Sequence, residues 1–132
     1  MTASFSLGQF GHAISLSGET LVVSAPEEDS EAVGINGDQT QSQSSYDSGA
    51  VYVFTRDTGA WSQQAYIKAS NAGRRDMFGS AVALVGDTLA VGAFGESGNA
   101  TGINGPQIGP AGAFKQKPTV LNGRLSSQQL AW

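Results

Sequence analysis

The 132-residue chain contains no cysteine, which removes disulfides, thiolate metal sites and a cysteine nucleophile in one step. It has a single histidine, His12, and no Gly-x-Ser-x-Gly elbow, so a Ser-His-Asp triad cannot be assembled. Charged residues are only 14% of the chain and the formal net charge is -4. No basic field is available for nucleic acid or anionic lipid; Arg74-Arg75 and Lys115/Lys117 are isolated pairs of the kind found on solvated turns. No apolar run approaches the ~20 residues of a membrane helix, so membrane insertion is not expected. Residues 1–8 lack a basic segment followed by an apolar one, and no signal peptide is expected within this chain. Helical periodicity with caps is missing too, which predicts essentially no helix.

What the chain does have is glycine, 18 of them, and hydrophobic residues at 39%. That mixture suits short strands joined by tight turns rather than a disordered chain. It also has a repeat. Residues 10–37 and 78–105 align without a gap at a spacing of 68, sharing Phe10/Phe78, Gly11/Gly79, Leu16/Leu84, Leu21/Leu89, Val23/Val91, Glu28/Glu96 and Gly-Ile-Asn-Gly at 34–37 and 102–105. Repetition at such a period marks an array in which each unit buries an apolar face against its neighbour.

Within a unit the period is two. Ile14 and Leu16 (Val82 and Leu84) form a first strand, and Leu21, Val23 and Ala25 (Leu89, Val91, Ala93) form one face of a second, identical in both copies. Ser-Gly-Glu-Thr at 17–20 and Val-Gly-Asp-Thr at 85–88 supply the hairpins between them. After a polar stretch at 26–48, Gly-Ala-Val-Tyr-Val-Phe-Thr at 49–55 is a third strand, Arg56 to Gly59 a turn, and Trp61 to Lys68 a fourth with Trp61, Ala65 and Ile67 on one side. One unit is therefore a four-stranded antiparallel meander of about 65 residues, the size of a propeller blade with one long loop.

The opening Phe-Gly, the Ser24-Ala25-Pro26 and Gly92-Ala93-Phe94 endings of the second strand, and Gly-Ala-Val-Tyr-Val-Phe at 49–54 resemble the FG-GAP repeat of integrin α-chain head domains and of many bacterial surface or secreted proteins. The resemblance implies an all-β partial propeller that binds partners instead of transforming substrates, and a parent protein that is secreted or on the cell surface. Its implied partners are other FG-GAP blades, further copies of itself, or a protein or glycan ligand. A calcium-dependent adhesion module and an accessory propeller of a larger hydrolase are the alternatives. The division expected is 1–9 as the end of a preceding blade, 10–77 as a blade, 78–105 as the first half of another, and 106–132 as a tail.

That tail has two readings. The favoured one is out-of-frame sequence, because Pro118 sits where a third strand needs a ladder donor and Lys115 and Lys117 replace its apolar face. The other is a degenerate pair of strands, matching Gly112-Ala113-Phe114 to 49–51 and Ser127-Gln128-Gln129 to 62–64.

Candidate chemistry is sparse. Many family members carry a calcium loop between two strands of a blade, but here the first hairpin is far too short to wrap a cation. The long loop gathers Glu27, Glu28, Asp29, Glu31, Asn36 and Asp38. Glu27, Glu28, Asp29, Asn36 and Asp38 are candidate calcium ligands, although the spacing departs from the EF-hand loop and a solvated acidic loop is the competing reading. Apart from calcium no cofactor is expected. Two carboxyls on one loop do not make a glycosidase cleft, and Gly92-Ala93-Phe94-Gly95 lacks the Lys-Ser/Thr and helix of a phosphate site. His12 is matched by Ser80 and reads as a strand residue. Asn-Gly at 36–37 favours positive φ, so Gly-Ile-Asn-Gly reads as a device that tucks Ile35 onto the blade. Trp61, Tyr52, Tyr66 and Phe54 could stack on sugars or bases, but core packing is the expected role.

Overall fold

The computed structural model describes residues 8–40 and 43–97, together with the backbone of 117–122. Strands β1 (Ile14–Ser17), β2 (Thr20–Ala25), β3 (Ala50–Asp57) and β4 (Ala60–Ile67) form an antiparallel sheet in that order. Strands β5 (Phe78–Val85), β6 (Thr88–Ala93) and β7 (Lys117–Asn122) form a second antiparallel sheet. The one helical element among the described residues is a 3-10 turn at Gln43–Ser45. The fold is all-β, two blades of a propeller.

The β1–β2 hairpin turns through two residues, with Gly18 at φ 56°, and its counterpart turns through Gly86 at φ 57°. The β3–β4 hairpin turns through Thr58 and Gly59, both at positive φ, which matches the twist of the flanking strands. The 68-residue equivalence holds down to single hydrogen bonds. His12 N donates to Gln9 O at 2.9 Å and Ser80 N to Met77 O at 3.0 Å; Glu27 N donates to Gly8 O at 3.2 Å and Gly95 N to Asp76 O at 2.9 Å.

The core lies between the sheets. Val22, Val51, Val53, Ala65 and Ile67 of the first sheet meet Phe78, Leu84, Leu89, Val91 and Ala93 of the second. The face shared by the two copies in their second strands is thus, in β6, the side that packs on the neighbour. The long loop closes back over the outer edge of the first sheet. Ile35 bridges to Ile67, Lys68 N donates to Gly34 O at 2.7 Å, and Ile35 packs against the core, as the reading of Gly-Ile-Asn-Gly expected. The second Gly-Ile-Asn-Gly lies outside the described residues.

Two expectations need correction. Trp61 does not share a side with Ala65 and Ile67. The β3–β4 register slips between Val53 and Phe54, so that Val53 faces Ala65 while Phe54 faces Gln63. Gln64 is the extra residue of a β-bulge, and beyond it the alternation inverts. Trp61 is 45% exposed while Ile67 is fully buried. The second correction concerns the tail. Pro118 does not prevent a third strand: it pairs opposite Gly92 within β7. Among the described residues β7 is an edge strand, where a missing ladder donor is tolerated. The alignments proposed for 112–114 and 127–129, and most of 1–9, fall outside the described residues.

Candidate binding face and the polar network behind it

Each sheet has one side turned toward the other and one turned away. Phe78 is fully buried on the first sheet, but Phe10, 68 residues earlier, is 55% exposed. Leu84 is 7% exposed and Leu16 is 63% exposed; Val82 packs on the core and Ile14 is 66% exposed. The same residue types at equivalent positions are covered in the second copy and open in the first. The open face continues across the sheet through an aromatic row. Phe10 meets Tyr52 edge-on at 5.2 Å between ring centroids and Phe54 at 6.4 Å, and Tyr52 meets Tyr66 at 5.2 Å. At the rim the Arg56 guanidinium lies 5.5 Å from the Trp61 ring centroid and pairs with Glu19. Tyr66 is buried, Tyr52 and Phe54 are half-buried and Trp61 is exposed, so the core role expected for the four aromatics holds for Tyr66 and fails for Trp61.

Behind this row lies a charge network. Lys68 follows β4, and its side chain runs into the interior. Its ammonium donates to Glu28 Oε2 at 2.6 Å, Ser30 O at 2.9 Å and Ser48 Oγ at 2.6 Å, using all three protons. The Glu28 carboxylate also accepts from Ser30 N at 3.0 Å and from the Ser30 hydroxyl, which in turn bonds the Tyr66 hydroxyl. Lys68 and Glu28 are both buried. Burial pulls the Lys68 ammonium below its ordinary pKa, against the opposing pull of Glu28 and Asp29. Burial, with the Glu28 charge added, raises Tyr52 to about 12. Tyr66 is raised further, again chiefly by burial.

The network fastens one blade to the next. Ser48 holds Lys68 through its hydroxyl, and its carbonyl accepts Phe78 N at 3.0 Å. On either side of it Tyr46 O accepts Arg75 N at 2.9 Å and Asp47 O accepts Met77 N at 3.0 Å. Gly49 follows at φ 86°, and a Cβ there would collide with the Phe78 backbone.

The five candidate calcium ligands take separate places. Glu28 faces the Lys68 ammonium. Asp29 is buried and its Oδ1 accepts Asp47 N at 2.7 Å. Asn36 is exposed, but its Oδ1 accepts Tyr66 N at 3.0 Å and its own N–H donates to Tyr66 O. Glu27 accepts from Gln9, and Asp38 from the hydroxyl and amide of Thr40, which hold its carboxyl below the usual range. Among the described residues no three His, Cys, Asp or Glu side chains are grouped to hold a metal ion. His12 is exposed. Lys68, Ser30 and Ser48 were missed because none belongs to a motif. The one available signal was a lysine ending the run Ala-Tyr-Ile at 65–67, with acids only in a distant loop.

The family model described as FG-GAP repeat matches residues 7–54 and 61–107. The chain belongs to the FG-GAP repeat family. No curated protein and no solved structure matches it. The first match spans β1 to β3 and the second spans β4 to β6.

Proposed function

We propose that this FG-GAP pair is a non-enzymatic protein-binding module of a larger propeller, in a surface or secreted protein, and that it binds through the open face of its first blade. One observation carries the reading: Phe10, Ile14 and Leu16 stand exposed where Phe78, Val82 and Leu84, their equivalents, are seated on a blade. Apolar side chains gathered on one sheet face mark an interaction surface. The family supports a binding role. The occupant that fits is another FG-GAP blade, because the internal contact already displays the geometry.

The test is to insert one extra period, residues 1–77 followed by 10–132, so that a copy of the first blade precedes the open face. The thermal midpoint should rise by several degrees, and the environment of Trp61 should change its fluorescence. An insertion that leaves both as in the parent chain would sink this reading.

A further inference from the structure

The contact between the two blades is more selective than two apolar sheets require. Leu84 N donates to Ser15 Oγ at 2.9 Å and Gly86 N to Ser17 Oγ at 3.0 Å, so two side-chain hydroxyls of β1 satisfy backbone donors of β5 and of the turn that follows it. Gly79 lies so close that a Cβ would stand 2.9 Å from Ala50 O and 3.0 Å from Ser24 Cβ, and Gly49 leaves the space taken by the Phe78 backbone. The receiving side of the first blade is therefore defined by Ser15, Ser17 and Gly49.

The second blade offers a different receiving side. Ser15 is replaced by Ala83 and Ser17 by Val85, which is 77% exposed. The sheet register places Ala93 opposite Lys117 where Ala25 lies opposite Ala50, so Lys117 takes the place of Ala50. Resting on the reading of the open face as a protein-binding surface, we propose that it accepts a blade with hydroxyls matching Ser15 and Ser17 and glycine matching Gly49. The second blade of another copy is refused. Amides of residues 16 and 18 would find no acceptor on it, and an unsatisfied buried amide is costly. Successive copies therefore do not chain head to tail, the arrangement that would otherwise build open filaments.

The test uses the full chain. Sedimentation velocity across a concentration series should show no species larger than a dimer. The variant Ala83→Ser/Val85→Ser/Lys117→Ala, which brings the second blade toward the receiving side of the first, should form species beyond the dimer that grow with concentration. Its head-to-tail association should be tenfold tighter or more, and adding Leu16→Glu should abolish it. The pair Ala83→Ser/Val85→Ser, with less disturbance to the fold, should show a severalfold gain. The proposal is overturned if neither variant associates beyond the parent chain while the period-insertion protein docks, or if the parent chain forms long oligomers that Leu16→Glu disperses. Failure of the period-insertion protein itself would instead remove the binding reading beneath it.

Discussion

Lys68 and Glu28 trade water for each other and for a ring of seryl and carbonyl oxygens. Such a pair stabilises only while it is complete. Removing one partner leaves a buried charge without its counter-ion, which costs about 3–5 kcal/mol, whereas replacing both with apolar groups is often near neutral. Lys68→Met should therefore lower unfolding free energy by roughly that amount. In Lys68→Met/Glu28→Leu most of the loss should be recovered, less the cost of stranding Ser30 and Ser48. Urea unfolding of the three proteins measures the difference, and a double variant as weak as the single one would refute this account of the network.

Strands one and five show how a seam between elements is held. Ser15→Ala with Ser17→Ala removes both hydroxyl acceptors and should cost about 1–3 kcal/mol, at 0.5–1.5 for each bond. Hydrogen exchange should quicken at Leu84 and Gly86 first, while amides in β2 and β3 keep their protection; uniform loss would mean the seam is not separately sensed. Elements were also the scale at which the sequence was most legible. Alternation at Leu21-Val23-Ala25, and the β-branched and aromatic run at 51–54, placed β1 to β4 to within a residue or two. The flip of Trp61 was illegible because a bulge adds a residue without altering composition, and nothing near Gln64 announces it. Strand β7 was misjudged for a related reason: a proline excludes a central ladder position but not an edge, and sequence does not say which strand is at the edge. The candidate site was half readable. The repeat marked Phe10, Ile14 and Leu16 as scaffold positions, whereas the loops at 26–48 and 94–111 were the expected recognition elements; that the three stand exposed follows only from the fold. Lys68 was hidden because its partners come from the loop at 28–30 and from Ser48, 20 and 40 positions away along the chain.

For the whole molecule, alkaline pH is the sharpest probe. The two aromatic hydroxyls of the open face are raised above their usual value near 10, Tyr52 to about 12 and Tyr66 further, mainly by burial. Unfolded tyrosines lose their protons near pH 10 while the folded ones keep theirs. Between pH 10 and 12 the unfolded state thus binds fewer protons, and stability falls as pH rises. Thermal melts should show a midpoint declining across this window, with tyrosinate absorbance appearing together with unfolding. Full ionisation of a still-folded chain near pH 10 would contradict the burial.

The 68-residue spacing of the blades has a consequence for how such proteins can be cut and lengthened. Strands β1 to β4 of the first sheet all lie inside the one period that runs from Phe10 to Phe78. Excising a segment out of that phase would strip a strand from the blade that stays behind, while cuts at the Phe-Gly positions leave each sheet whole. Duplications that survive in this architecture are therefore expected to copy the 68-residue spacing, wherever along it the copying starts.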